Sequence, residues 1–183
     1  MKICIELPTW LGDSVMVTPA LENLINFYID PEITLIGSFE AIEALSNHPK
    51  IIKTFVRDKN YLNLYSFSKN LGEFDVFFSF RSAFRSKFLK FFIPSKRKFQ
   101  FNKNRFLHGH QVEKYNNFVN ESLEINKIAN KLRLHKKSEI INNNKKLLGI
   151  NPGASYGSAK RWHPKEFADV AFELSNKLSL IHI

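Results

Sequence analysis

A single cysteine, Cys4, stands in 183 residues, which excludes an intrachain disulfide and any cysteine-rich metal site. Set between Ile3 and Ile5, it reads as a buried strand residue in a reducing compartment. Acidic residues are missing altogether between Asp75 and Glu113. No apolar run approaches the length needed to span a bilayer, and the opening M-K-I-C-I-E-L-P carries no small-residue cleavage site. The expectation is a cytoplasmic protein that at most touches a membrane face from inside.

What is present is enough for a real core. With 44% hydrophobic and 14% aromatic residues, the chain has material for one full domain, or one domain and part of another. Eighteen Phe against two Trp and five Tyr reads as compositional bias rather than an aromatic code. Lys and Arg number 27 against 17 acids, a formal charge of +10 with a pI near 9.7. That balance favours acidic partners: nucleic acid, anionic lipid or phosphorylated sugars.

Hydrophobic periodicity alternates between strand and helix from the first residue. Residues Lys2 to Leu7 read as a strand ending at Pro8. Ser14 to Tyr28 then reads as a helix, with a kink or late start at Pro19. The pattern recurs with strands over Ile33 to Gly37, Ile51 to Val56 and Phe74 to Phe80, and helices over Phe39 to Ser46 and Leu62 to Leu71. A mostly parallel sheet with helices on its faces follows, with ligands at the carboxyl ends of the strands.

Arg81 to Phe92 reads as a basic amphipathic helix, with Phe84, Phe88, Phe91 and Phe92 on one face. Those Phe side chains are expected to pack on the sheet. Charge continues through S-K-R-K-F-Q-F-N-K-N-R. His110 to Leu123 reads as helical, and Ile125 to Leu134 as a continuation. A polar Asn- and Lys-rich stretch follows, so the domain reading is 1–140, a linker at 141–146, and 147–183 as the start of a second domain. There Leu147 to Asn151 reads as a strand, Pro164 to Leu178 as a helix with Pro164 at its first position, and Ser179 to Ile183 as the beginning of another strand.

Two turns carry the candidate chemistry. In T-W-L-G-D-S, residues 9 to 14, Asp13 lies at or near a helix N-terminus, which favours an ionised carboxylate. It reads either as a plain helix cap or as a general base within reach of a substrate hydroxyl. Gly12 would let a ligand approach the backbone closely. In N-P-G-A-S-Y-G-S-A-K-R-W, residues 151 to 162, two glycines, a lysine and free N–H groups converge between strand and helix, which suits a phosphate. No Ser or Thr follows Lys160, so this is not a nucleotide-hydrolysing P-loop, and the dinucleotide fingerprint is absent too. His108 and His110 lack a third metal ligand at a recognisable spacing.

Together, K-I-C-I-E-L-P-T-W-L-G-D-S-V-M-V-T-P-A-L and N-P-G-A-S-Y-G-S-A-K-R-W-H-P-K-E-F-A-D-V-A resemble the two signature stretches of bacterial lipopolysaccharide heptosyltransferases of glycosyltransferase family 9. The W-x-G-D start and P-G-A-x-x-G-x-A-K-R-W run are closer to type II than to type I. H-Q-V-E-K-Y, residues 110 to 115, also matches, and the resemblance is weakest between 30 and 75.

This resemblance implies a GT-B fold of two facing Rossmann-like halves. It implies inverting transfer of L-glycero-D-manno-heptose from ADP-heptose to the first heptose of an inner-core acceptor, heptosyl-Kdo-lipid A. Asp13 matches the catalytic base, and Ser155, Gly157 and Lys160 the donor phosphate site. Trp10, Gly12, Arg81 and Arg85 become acceptor or anion contacts, with Lys87 and Lys90 beside them, and peripheral contact with the inner membrane follows from the lipid anchor. Unlike an inverting hydrolase, such a transfer needs no second carboxylic acid, because charge stabilises the leaving diphosphate. With no D-x-D pair in the chain, no metal or other cofactor is expected.

Relatives run on through further strands and helices that hold adenine, ribose and much of the heptose. The chain is therefore expected to be a partial, inactive fragment of such an enzyme. The alternative of a different class is a basic module for nucleic acid or anionic surfaces built on Arg81 to Arg105; under the enzyme reading no nucleic acid is expected.

Overall fold

The computed structural model describes residues 1–57, 63–135, 147–154, 157–175 and 179–181. They fall into two compact units, Met1–Lys137 and Ser138–Ile183. The linker read at 141–146 lies outside the described residues.

The first unit is built on a parallel sheet of β1 (Lys2–Glu6), β2 (Glu32–Gly37), β3 (Ile51–Val56), β4 (Phe74–Ser79) and β5 (Ser95–Gln100), in the order β3-β2-β1-β4-β5. Right-handed crossovers are the rule for such connections. Strand order reverses between β1 and β4, where Ile3 pairs with Val76 and Glu6 with Ser79. This is the Rossmann-like order, and its ligand crevice opens at that reversal.

Alternation along the strands gives each face its own core. Ile3, Ile5, Ile33, Leu35, Val76 and Phe78 pack against α2 (Thr18–Phe27), α3 (Phe39–Leu45) and α6 (Gln111–Leu123). Cys4, Ile36 and Phe77 face the other way, beside Leu89 and Ile93. That side carries α4 (Asn63–Asn70) and α5 (Phe84–Phe92). Cys4 is thus the buried strand residue its neighbours announced, and burial raises its thiol pKa well above the ordinary value.

Pro19 divides the first helix as anticipated. The two pieces, α1 (Leu11–Met16) and α2, meet at Val17. Pro19 has no N–H for the Val15 carbonyl, and the Thr18 hydroxyl donates to that carbonyl at 2.8 Å.

Three expectations are corrected. Residues 95–100, read only as continuing charge, form edge strand β5; one aromatic anchor suffices, Phe99 stacked on Phe78 at 4.8 Å between centroids with the Arg97 guanidinium 5.1 Å above it. Residues 125–134 are not helical. Glu124 ends α6 in the left-handed conformation at φ 56°, and the chain then continues without regular secondary structure, bonded to α2 and α6. Asn side chains replace the helical bonds: Asn116 Nδ2 and Asn120 Nδ2 donate to Lys127 O at 2.6 and 2.9 Å, and Asn23 Nδ2 donates to Ile128 O at 3.0 Å. Finally, α5 turns its Phe stripe outward. Ser86, Leu89 and Ile93 face the sheet, while Phe84 and Phe91 are 67% and 76% exposed.

In the second unit β6 (Leu147–Gly149) pairs in parallel with β7 (Ser179–Ile181), with α7 (Pro164–Ser175) between them in sequence. Pro164 opens α7, as its fixed φ and missing N–H favour. Residues 176–178, read as the end of this helix, lie outside the described residues. Among the described residues no helix is long and apolar enough to cross a membrane.

Candidate active site

In the first unit the site grows from the carboxyl ends of β1 and β4. Glu6 closes β1 and is 1% exposed. A carboxylate there must be answered by donors. Ser79 Oγ donates to its Oε2 at 2.6 Å; Ser86 Oγ and Arg57 Nη1 donate to Oε1 at 3.0 and 3.3 Å. Arg81 Nε lies 3.8 Å from the same oxygen, and Arg85 adds its field. Burial is the largest influence and raises the Glu6 pKa; Ser79, Arg81 and Ser86 oppose it. The two predicted anion contacts, Arg81 and Arg85, thus converge on one buried carboxylate. Neither Glu6 nor Arg57 was singled out from the sequence. The available signal was position: Glu6 shares the inward parity of Cys4, and an acid at the end of an apolar strand needs cations.

The loop after β1 carries the remaining predicted residues. Leu7 N donates to Ile36 O at 2.8 Å, holding the loop to β2. Trp10 is exposed and occupies the N-cap position of α1 without a side-chain cap bond. Ser14, fully buried, anchors the turn by donating to Trp10 O at 3.1 Å. Around Gly12 a side chain would meet nothing within 4 Å, so that approach is open. Asp13 is the third residue of α1, so it is not the cap. Its side chain is half-buried, with no hydrogen bond or ion pair for its carboxylate among the described residues. Its charge reaches Tyr115 on α6, whose phenol is pushed up to about 12, first by burial and then by Asp13.

In the second unit, Gly157 adopts φ +77°, a conformation that favours glycine. It leads into a single 3₁₀ turn, Ser158–Lys160, closed by Lys160 N donating to Gly157 O at 3.2 Å. Lys160 is exposed on this turn and not at the start of α7, a refinement of the expected convergence on one helix end. Ser155 lies outside the described residues. Arg161 shapes the turn through Nε and Nη2, which donate to Ala154 O at 3.1 and 2.8 Å. A surface pocket of about 560 Å³ beside it is lined by Pro152, Arg161, Trp162, His163, Pro164 and Phe167.

Of the two histidines weighed as a metal pair, His110 caps α6, with its Nδ1 accepting from Val112 N. A different group meets elsewhere, Glu22, His48 and His135, whose ligand-type atoms lie within 4.8 Å of one another. His48 Nδ1 accepts from Lys50 N at 3.1 Å, so its proton sits on Nε2, which donates to Glu22 Oε1 at 3.2 Å.

Comparison with solved structures shows that this architecture has a GT-B type fold. A glycosyl transferase family 9 protein from Veillonella parvula superposes with a TM-score of 0.75 at 18% identity, covering 98% of this chain and 61% of that one. The E. coli ADP-heptose lps heptosyltransferase II gives 0.73 at 18% identity, covering 98% and 63%. In sequence, the chain is similar to lipooligosaccharide heptosyltransferase 2 of Campylobacter jejuni subsp. jejuni serotype O:2, with 40% identity over 188 residues and 99% of this chain. The chain spans 59% of the length of that relative. No family model matches. The resemblance read from the two signature stretches is borne out, and the similarity extends over 99% of this chain.

Proposed function

We propose that this chain is part of an inverting heptosyltransferase that moves L-glycero-D-manno-heptose from ADP-heptose to the first heptose of a lipid-anchored inner-core acceptor. Asp13 carries the reading. Its carboxylate is partnerless among the described residues, half-buried, and held after β1 beside the reversal of strand order, in a chain 40% identical to a heptosyltransferase. A base needs an accepting oxygen that no other group has claimed.

In this mechanism Asp13 accepts the acceptor hydroxyl proton as that oxygen attacks the anomeric carbon. The bond to the diphosphate breaks on the opposite side, and the configuration inverts. Negative charge then accumulates on the leaving ADP, where Lys160 and backbone N–H groups of the Gly157 turn would stabilise it. Arg57, Arg81 and Arg85 leave a positive excess around Glu6, suited to the acceptor's carboxylates and phosphates. The acceptor's lipid anchor puts the work at the cytoplasmic face of the inner membrane.

The test is a chimera in which residues 1–183 replace the matching part of the Campylobacter jejuni relative. Heptose transfer from ADP-heptose to heptosyl-Kdo-lipid A is expected, with Asp13→Ala lowering kcat by at least about a thousandfold while ADP affinity is kept. Normal turnover by Asp13→Ala would remove the base assignment. An active chimera that glycosylates acceptors lacking the first heptose equally well would remove the acceptor assignment.

A further inference from the structure

The outward stripe of α5 has no counterpart in a soluble helix that merely covers its sheet. Phe84, Phe88 and Phe91 recur at i, i+4 and i+7, opposite the buried Ser86, Leu89 and Ile93, and are 67%, 42% and 76% exposed. Their rings form a continuous run: Phe84 to Phe88 at 5.1 Å, Phe88 to Phe92 at 6.4 Å, Phe92 to Phe91 at 5.2 Å. Tyr65 of α4, itself exposed, extends it by an edge contact with Phe92 at 5.3 Å. An apolar strip of this size left in water marks a surface meant for contact.

Its surroundings select the partner. Beside the stripe, a hollow of about 380 Å³ is lined by Lys87, Lys90, Gln100, Asn102 and Lys103. No acidic residue occurs from Val76 to Val112 to offset these cations. Exposed phenylalanines next to a pocket of ammonium groups match the two layers of an anionic bilayer surface, acyl chains below and phosphates above.

We propose that α5 is a membrane-docking face: Phe84, Phe88 and Phe91 enter the interface of an anionic bilayer, and Lys87, Lys90 and Lys103 take lipid phosphates in the adjoining hollow. The proposal stands on this surface alone and not on the glycosyl-transfer reading.

Co-sedimentation of the chain with vesicles of phosphatidylglycerol and phosphatidylethanolamine tests it, with phosphatidylcholine vesicles as the neutral comparison. Binding to the anionic vesicles is expected, weakened roughly tenfold or more by Phe84→Ala/Phe88→Ala/Phe91→Ala and by Lys87→Ala/Lys90→Ala/Lys103→Ala. Circular dichroism checks that each variant keeps its fold. A Phe91→Trp variant supplies an independent reading: brominated acyl chains should quench the fluorescence of the introduced indole. No binding, binding indifferent to the Phe substitutions, or an unquenched indole signal from the bound Phe91→Trp variant would each overturn the proposal. So would self-association through the stripe, seen as a sedimentation change abolished by the Phe substitutions without any vesicle affinity.

Discussion

Ser79 donates a 2.6 Å hydrogen bond to Glu6 across the β1–β4 ladder, joining two residues that are backbone partners at the reversal of strand order. This pair is the centre of a network that also holds Arg57, Arg81 and Ser86. Glu6→Ala leaves those donors without their acceptor, and a loss of about 3 kcal/mol is expected. The urea midpoint reports it, and an unchanged midpoint would mean the network contributes nothing net.

The same carboxylate gives a pH signature. Its pKa is raised in the folded state from an ordinary value of 4.5, so the folded protein holds this proton more tightly than the unfolded chain. The resulting stability is fully present below pH 4.5 and is lost as pH rises through the elevated value. Relative to Glu6→Gln, the wild-type protein should therefore lose stability as pH increases over that window. A constant difference between the two would contradict the shift.

Asp13 and Tyr115 give a second titration. Because the Asp13 charge opposes ionisation of the phenol, Asp13→Asn should bring Tyr115 down from about 12. Absorbance at the tyrosinate band, compared between the two proteins at alkaline pH, measures this directly. Superimposable curves would place Asp13 too far from α6 to matter.

Asn116 ties α6 to α2 and to the segment after it, accepting from Asn23 Nδ2 at 2.8 Å and donating to Lys127 O. Asn116→Ala leaves buried polar partners unmatched and is expected to cost about 2 kcal/mol. Amide exchange at residues 125–133 should accelerate more than exchange in the strands. Uniform acceleration would show that the segment has no separate stability.

Lys160 is exposed on the turn after Gly157. In the chimera, Lys160→Ala should weaken ADP binding by roughly tenfold, the usual scale for one charge-assisted contact. Calorimetry with ADP measures it, and undiminished affinity would move the donor phosphates elsewhere.

Much of this architecture was legible because it rests on local rules. Strand and helix alternation, the break at Pro19 and the start of α7 at Pro164 all follow from periodicity and proline geometry. The misses have a common origin in distant partners. Glu6 is 51, 73 and 80 residues from Arg57, Ser79 and Ser86, and no local pattern announces such a meeting. Ile125, Ile128 and Leu132 are spaced for a helix, but Asn23, Asn116 and Asn120 supply better partners for that backbone. Periodicity also grouped the α5 phenylalanines on one face without revealing which face turns inward. Small and branched residues, Ser86, Leu89 and Ile93, fit against Cys4 and Phe77; the bulkier stripe was left outside. The motif residues Asp13 and Lys160 were visible as types at turns, whereas the cation-ringed carboxylate of Glu6 was not.

The charge on β5 has a consequence for how copies of this protein meet. Among the described residues β5 is the last strand of its sheet, and it leads with Lys96, Arg97 and Lys98. A second molecule seeking to add its own β5 there would set like charges against like at successive positions. This edge therefore carries its own veto against strand addition, in contrast to the opposite edge β3, where Ile52 and Val56 are exposed.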